Sequence, residues 1–322
     1  MFVLEANIKI GSYEFNQVND VEIIKSVDEL GDTCTIKLPT RFKVRQNNIE
    51  LFTEEAIKVG DEVIVTLGYR GQYKGVEFVG YVKKVKPMFP LEIECEDKIW
   101  LLRRKRITKA WNAGTTLIEI LEEVVKDTAV RLADNIPDIK LDKYIIKNAN
   151  GAQVLQAIKK NMSLSVFITD DDKLYVGLQQ LTNIGETVIY DLNYNLVENN
   201  LEYKSSDERR IKVRYTYVGK DNKKKQIEVG DADGELRTFH TSVISDEAQL
   251  KALATSEIER LKYDGFDGDV VSFLIPFATR GMQAQLIDDL HTSREGNYFI
   301  KKVITTFGTD GARRKVSLGN KL

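Results

Sequence analysis

The chain has 322 residues, of which 42% are hydrophobic and 30% charged, values that predict a globular protein of two or three domains. Its formal net charge of -2 provides no overall attraction to nucleic acid or to an anionic membrane, so we expect no sequence-specific nucleic-acid binding. No apolar run approaches the roughly 20 residues that span a bilayer, and the first residues lack the features of a secretory signal. We therefore expect no membrane segment and synthesis in a reducing cytoplasm.

The cysteines and histidines exclude two common kinds of site. The only cysteines, Cys34 and Cys95, lie in runs that alternate like strands, and we interpret them as small apolar residues. A disulfide framework or a zinc site needs more thiols or nearby histidines. The only histidines, His240 and His291, are far apart in sequence. We therefore predict no metal and no cofactor.

Residues 1 to about 97 are predicted to be almost entirely β-strand. Val63, Val65 and Leu67 alternate with polar or less apolar residues, which is the period of a half-buried strand. Gly, Asp and Asn separate the runs, as turns require. Many short strands at this spacing predict a barrel or a sandwich. The stretch from Phe42 to Lys58 has no clean period and is predicted to be a long excursion between strands.

The composition changes at KIWLLRRKRITKAW, after which helices are predicted. Thr116 and Glu119 have the spacing of a capping box at the start of a helix. A second helix is predicted to open near Asn150, followed by a hairpin made of SVFIT, a DDDK turn and LYVGL. Residues 105–185 are therefore predicted to form a small α/β region.

From Glu186 onward the pattern returns to strands, interrupted by a helix near Ser245. That helix is predicted to end before Gly265 and to direct Leu250 and Leu253 inward. Four further strand-like runs follow it. The predicted order is thus β, then α/β, then β, which is a β-rich α+β fold.

Three stretches of the chain resemble a known family. The first runs from Gly60 to Leu102 and contains a Phe-x-Gly centre at Phe78 and Gly80. The second combines GTTLIEILEEVV with IIKNANGAQVLQAIKKNMSLSVFITDDDKLYVG, and the third runs from ALATSEIERL to NYFIKKVITTFGTDGARRKVSLG. In this order they resemble the tail hub family of contractile phages, which includes late control protein D and the Mu-type baseplate hubs. The hub part of type VI secretion spikes is a more distant relative.

The resemblance implies an architecture and a place in an assembly. Two barrel-like tube domains, residues 1–104 and 186–322, would flank the α/β middle domain of residues 105–185. Three subunits would present six barrels around a channel, matching a six-fold tail tube on one side and a three-fold spike on the other. The implied partners are further copies of the chain, the tail tube protein, the spike protein and other baseplate proteins, in the baseplate of the virion tail. The two β-rich parts are accordingly predicted to have superposable barrel cores.

Six residues are candidates for an interface or a channel. The basic run Arg103, Arg104, Lys105 and Arg106 is typical of a nucleic-acid patch, of a solvated face, or of a surface toward a channel or a neighbouring subunit. Tyr215 and Tyr217 belong to a tyrosine-rich region, and both strands and protein interfaces are enriched in tyrosine. The sequence leaves these alternatives open.

No constellation of residues predicts catalysis. The acidic stretches at 170–172, 231–235 and 266–269 do not complete a calcium loop and are interpreted as turns. No G-x-S-x-G elbow, Walker A or dinucleotide-binding glycine pattern is present. The chain is therefore predicted to be non-enzymatic. The alternatives are a glycan- or receptor-binding tail module and a tail-associated cell-wall hydrolase.

Overall fold

The computed structural model describes residues 2–43, 50–112, 114–162, 164–178, 187–219, 223–292 and 295–322. The first β-rich part contains the strands β1 Leu4–Ile10, β2 Tyr13–Phe15, β3 Asp20–Ser26, β4 Thr33–Leu38, β5 Arg41–Lys43, β6 Glu50–Phe52, β7 Glu62–Tyr69, β8 Tyr73–Lys86 and β9 Leu91–Glu96. Two short helices belong to it, α1 Thr53–Ala56 and α2 Ile99–Arg104. Six of the strands form an antiparallel barrel-like unit in the order β3-β4-β9-β8-β7-β1, with β2 beside β1. The excursion predicted at Phe42 to Lys58 holds a β5–β6 pair and α1, and residues 44–49 within it lie outside the described residues.

The predicted alternation in β7 is confirmed. Val63, Val65 and Leu67 are all buried in one hydrophobic core with strands β1, β3, β4, β8 and β9. Cys34 and Cys95 lie opposite each other on β4 and β9, and both are buried in the same core as free thiols. They pack as small apolar residues, as predicted.

The middle of the chain alternates short strands and helices. Its strands are β10 Arg106–Trp111, β11 Arg131–Leu132, β12 Tyr144–Asn150, β13 Ser165–Ile168 and β14 Lys173–Gly177, and its helices are α3 Leu117–Val125 and α4 Gly151–Met162. The predicted capping box at the start of α3 is present, with Thr116 and Glu119 bonding each other's backbone N–H groups. The predicted hairpin is present as the antiparallel pair β13–β14.

The last part of the chain returns to strands. They are β15 Thr187–Asp191, β16 Glu198–Lys204, β17 Ile211–Val218, β18 Lys224–Gly230, β19 Glu235–Thr241, β20 Gly265–Ser272, β21 Gln283–Ile287, β22 Gly296–Gly308 and β23 Gly311–Lys321. A short 3-10 helix spans Ser206–Glu208, and α5 spans Glu247–Leu261 with Asp246 as its N-cap. Six of these strands form a second barrel-like unit in the order β16-β20-β23-β22-β21-β15. None of the described helices has the length and apolar character needed to cross a membrane.

The remaining three strands and α5 pack with the middle of the chain. Val213, Tyr215 and Leu250 share one hydrophobic core with Leu121 of α3 and Leu155 of α4. The domain boundaries predicted at residues 104 and 185 remain a prediction. In the last part of the chain, however, the hydrophobic cores group the residues differently from these boundaries. Residues 211–261 were assigned to the last β-rich domain, yet their apolar faces are buried in the middle core. We call the chain segments 105–178 and 211–261 together the middle unit.

The two barrel-like units repeat the same strand order. In the first unit the strands lie in the order β3-β4-β9-β8-β7-β1, and in the second unit the strands of the same rank along the chain lie in the same order, β16-β20-β23-β22-β21-β15. Four of the neighbouring pairs are antiparallel in both units. The units differ at the last pair, because β1 runs antiparallel to β7 whereas β15 runs parallel to β21. The order of strands is therefore repeated in the two units, and the superposition of their cores remains a prediction.

A strand of the second unit joins the two sheets into one. The end of β22 pairs antiparallel with β3, from Lys302 opposite Ser26 to Gly308 opposite Asp20. The result is a single 13-stranded sheet. Phe307 of β22 packs into the core of the first unit. We call this contact the intrachain joint.

Candidate functional site

Buried charged residues concentrate where the two barrel-like units and the middle unit meet. The first pair is Glu77 on β8 and Arg314 on β23, whose side chains are each 1% exposed. The Nη1 and Nη2 atoms of Arg314 donate to the two carboxylate oxygens at 3.1 and 2.8 Å. Two carbonyl oxygens, those of Leu274 and Ala278, accept from the same guanidinium, and the hydroxyl of Tyr73 donates to Glu77 at 2.8 Å. A bidentate pair of this kind fixes both position and orientation.

A second buried arginine belongs to the second barrel-like unit and contacts the other two units. Arg280, in the loop between β20 and β21, pairs with Asp32 of the first unit at 2.6 Å and with Asp170 of the middle unit at 2.9 Å. It also donates to the carbonyl oxygen of Ile168. Lys25 of β3 lies 2.9 Å from Asp170 and completes the cluster. We call these two ion-paired groups the junction.

The electrostatics of the junction depend on burial. Burial raises the pKa of Asp32 to about 6, although the charges of Arg280 and Lys25 oppose the shift. Burial raises the pKa of Asp97, and the charge of the neighbouring Asp32 carboxylate raises it further. Asp97 accepts hydrogen bonds from the backbone N–H groups of Asp32 and Ile99, both at 2.8 Å. Asp170 behaves oppositely, because Lys25 and Arg280 outweigh its burial and lower its pKa.

These pKa shifts predict the direction of the pH dependence of stability. Because the pKa of Asp32 is higher in the folded than in the unfolded chain, the folded state gains stability as the pH falls through about 6. Between pH 7.5 and pH 5 we expect a gain of about 1–2 kcal/mol, measured by urea unfolding. The lowered pKa of Asp170 stabilises the fold above the unfolded value and costs stability only below about pH 4. The raised pKa of Asp97 contributes in the same direction, so Asp32→Asn should reduce the rise without abolishing it, and an unchanged rise in this variant would contradict the assignment.

The predicted basic run makes contacts within the chain. The guanidinium of Arg103 donates hydrogen bonds of 2.8–3.0 Å to both carboxylate oxygens of Glu96. The guanidinium carbon of Arg104 lies 3.3 Å from the ring centroid of Trp100. These contacts are compatible with a solvated face, and a role of the run in a channel or an interface remains a prediction.

The other two basic residues bond backbone oxygens. Lys105 donates to the carbonyl oxygen of Glu123 at 2.6 Å and to that of Lys126, near the C-terminal end of α3. Such a position favours a cation, because the last carbonyls of a helix lack partners within it. Arg106 donates to the carbonyl oxygen of Asn148 at 3.3 Å.

The two candidate tyrosines lie in the middle core. The ring of Tyr215 stacks on Phe239 with centroids 5.2 Å apart, and the hydroxyl of Tyr217 donates to Glu247 at 2.5 Å. Both side chains are buried within the chain. We therefore do not carry the interface or channel prediction for Tyr215 and Tyr217 further, because neither ring reaches the surface.

The acidic turns bond to neighbouring groups of the protein. Asp170 belongs to the junction, and Asp231 accepts from Lys262 at 2.8 Å and from the backbone N–H of Ile211 at 3.1 Å. Among the described residues, no group of three or more histidine, cysteine, aspartate or glutamate side chains has the arrangement of a metal site. The turn interpretation agrees with these contacts for 170–172 and 231–235, but it is wrong for residues 266–269, which lie within β20.

Sequence reasoning missed the junction. Its one local signal is a charge at a position where the strand period requires a buried residue, as for Arg314 between the inward Ala312 and Val316 of β23. Charged residues are seldom fully buried unless paired. The partner Glu77 lies far away in sequence, so no local pattern indicates the pair.

The fold is β-rich and contains two repeated barrel-like units held together by the junction. No protein-family model and no curated protein matches the sequence. Among solved structures, the chain is similar to a tail protein from Neisseria meningitidis, with a TM-score of 0.67, 15% identity and coverage of 99% of this chain and 97% of that one. It is also similar to the 43 kDa tail protein of prophage MuSo2 from Shewanella oneidensis, with a TM-score of 0.63, 16% identity and coverage of 98% and 97%.

A third similar structure comes from a secretion system. It is an Escherichia coli component of the type VI secretion system, with a TM-score of 0.60, 12% identity and coverage of 98% of this chain and 79% of that one. The chain therefore has, over its whole length, the fold found in phage tail proteins and in this component.

Proposed function

We propose that the chain is a structural, non-enzymatic hub subunit of a contractile phage tail that assembles as a homotrimer. The observation that supports it best is the repeated strand order of the two barrel-like units. Three copies of a duplicated subunit offer six similar units around one axis. Such a ring fits a six-fold tail tube on one face and a three-fold spike on the other.

The junction supports a rigid subunit. A ring of this kind functions through geometry, so the two barrel-like units have to keep a fixed relative orientation. Glu77–Arg314 connects β8 to β23 directly, and Arg280 connects both units to the middle unit. The proposed partners are other copies of the chain, the tail tube protein, the spike protein and other baseplate proteins.

The carboxylates favour a structural role over a cell-wall hydrolase. A general acid needs a raised pKa and access to the substrate. Asp32 and Asp97 have the raised pKa, but both are buried. Glu77 and Asp170 are held by arginines. None of these four groups is therefore a good candidate for protonating a glycosidic oxygen.

Light scattering of the purified protein tests the proposal. We expect about three times the subunit mass of 36.7 kDa, with dissociation at low concentration. Negative-stain images should show rings of six lobes. A protein that remains monomeric at high concentration would contradict the trimer.

A further inference from the structure

A short sequence repeat marks equivalent positions in the two barrel-like units. Val82–Val85 reads VKKV and Ile300–Val303 reads IKKV. The first segment lies at the register shift between β8 and β9, and the second at a register shift between β22 and β23. The bulge therefore recurs with nearly the same residues.

The hydrogen bonds around this bulge also recur. Val82 donates to the carbonyl oxygen of Asp61 at 2.9 Å and accepts from Gly60 at 2.8 Å. Ile300 donates to Met282 at 2.9 Å and accepts from Gly281 at 2.8 Å in the same way. The two units can therefore be aligned residue by residue here, with Lys84 equivalent to Lys302.

Beyond the bulge, the two equivalent strands differ in their neighbours. In β22, residues from Lys302 onward pair with β23 on one side and with β3 on the other, in the intrachain joint. In β8, Lys84–Lys86 pair with β9 on one side. Among the described residues, no strand pairs with the other side of this segment. We call it the open edge of β8.

The equivalent of β3 in the second unit is β16. Both strands have seven residues, and the ladders through β4 and β20 align Glu22 with Asn200. In the described part of the chain, β16 pairs with β20 alone. An unpaired edge strand is a template for pairing with another chain. The molecule therefore has two complementary open edges, one on each barrel-like unit.

An exposed phenylalanine adds an apolar contact to the open edge of β8. Phe307 follows Lys302 by five residues and is only 6% exposed, because it packs into the core of the first unit. Phe89 follows Lys84 by the same number of residues and is 92% exposed. Within the chain, the second unit inserts a phenylalanine into the first. The first unit presents Phe89 to solvent from the loop that follows the end of β8.

We propose that the open edge of β8 pairs with β16 of a second copy of this chain, in the register of the intrachain joint. This places Lys84 opposite Lys204, Val85 opposite Tyr203, and Lys86 opposite Glu202 of the neighbour. Phe89 is covered by the neighbour's second barrel-like unit. The proposal rests on the proposed trimer and identifies the surfaces that hold it together.

The charges and the length of this contact fit a reversible assembly. Glu202, whose side chain is 76% exposed, lies opposite Lys86 of the neighbour, and this pair of opposite charges stabilises the contact, whereas the like charges of Lys84 and Lys204 weaken it. Pro87 follows the open edge and has no N–H to donate. The contact between chains thus has three register pairs, whereas the intrachain joint has seven. We expect it to dissociate on dilution while the intrachain joint stays intact.

The two open edges belong to different strands, so the contact is head-to-tail. A heterologous contact of this kind generates a closed ring when its rotation closes, and an open filament otherwise. The proposed trimer requires that the relation between the two units of one chain, when repeated between chains, closes after three copies.

Cross-linking tests the register. We expect the double variant Val85→Cys/Tyr203→Cys to form covalent dimers and trimers with a short bis-maleimide, with no larger species at saturation. Val85→Cys/Asn199→Cys is the matched control, because its second cysteine lies four residues away along the same strand, roughly 13 Å. The single variants report any reaction with the buried Cys34 and Cys95.

Dilution of the assembled protein tests the apolar contact. We expect Phe89→Ala and Glu202→Lys each to raise the concentration at which half the protein dissociates by at least ten-fold. Leu290→Ala, a change at an exposed side chain outside both edges, should leave it unchanged. The melting temperature of the dissociated chain should be unaffected by Phe89→Ala.

The outcomes separate this proposal from the proposed function. A trimer that resists Phe89→Ala and does not cross-link through residues 85 and 203 overturns the strand contact and leaves the hub proposal standing. Equal cross-linking of the matched control overturns the register. A chain that is monomeric at high concentration overturns both proposals.

Discussion

Replacing Arg314 by methionine is expected to lower the free energy of unfolding by about 3–5 kcal/mol, because it leaves the Glu77 carboxylate buried without its cation. Glu77 is 1% exposed, and among the residues that the structure describes only the hydroxyl of Tyr73 would remain as a hydrogen-bond donor to it. Chemical denaturation of the dissociated protein measures the change. Since the pair connects the two barrel-like units, the substitution should destabilise both units.

Two controls separate the ion pair from packing. The double variant Glu77→Met/Arg314→Met removes both charges and should recover much of the loss, because no unpaired ion remains buried. Lys37→Ala breaks the exposed pair of Lys37 and Asp20, which are 3.3 Å apart, and should cost less than about 1 kcal/mol. If Arg314→Met lowered the free energy of unfolding by no more than Lys37→Ala does, the result would contradict the structural role of the junction.

Replacing Gly80 by alanine is expected to cost at least about 3 kcal/mol, at or above the upper end of ordinary overpacking. Gly80 lies where β8 passes from pairing with β7 to pairing with β9. A Cβ atom there would lie 2.3 Å from the carbonyl oxygen of Glu96 and 2.7 Å from the ring of Phe78. A backbone oxygen within a sheet cannot move away easily, so thermal or chemical unfolding should report a large loss.

Gly71→Ala is the matched control for this prediction. Gly71 has a φ of +74°, and an added Cβ would meet nothing within 4 Å. Its substitution should therefore cost only the strain of a left-handed backbone, about 1–2 kcal/mol. If Gly80→Ala costs no more than Gly71→Ala, the close approach of the Glu96 carbonyl does not explain the Phe-x-Gly centre.

Features that depend on a few neighbouring residues were predicted from the sequence. The alternation of Val63, Val65 and Leu67 predicted the buried face of β7, and Thr116 with Glu119 predicted the start of α3. The β-rich α+β fold follows from such local patterns and from the order of the segments. The Phe-x-Gly centre was recognised as a motif, but only the fold shows which backbone atom approaches Gly80.

Features that depend on distant partners were missed. Arg280 and Arg314 carry a charge that normally indicates the surface, and only carboxylates from other units allow their burial. Residues 211–261 have strand and helix patterns that fit either neighbouring core, so their place in the middle unit follows from packing alone. The sequence contains the IKKV and VKKV segments, but a similarity of four residues does not by itself indicate a repeat. The repeat is established by the equivalent bulges at which the two segments lie.

The intrachain joint also determines the order in which the protein can be completed during synthesis. The edge of β3 is made early, while its partner β22 and the side chain of Phe307 come from almost the other end of the chain. At about 5–20 residues per second, roughly 15 to 60 s separate the two. During that interval, the first barrel-like unit presents an unpaired strand and an incompletely covered core, both of which promote association with other chains. Nascent chains on neighbouring ribosomes can therefore compete for the place that each chain's own β22 later occupies.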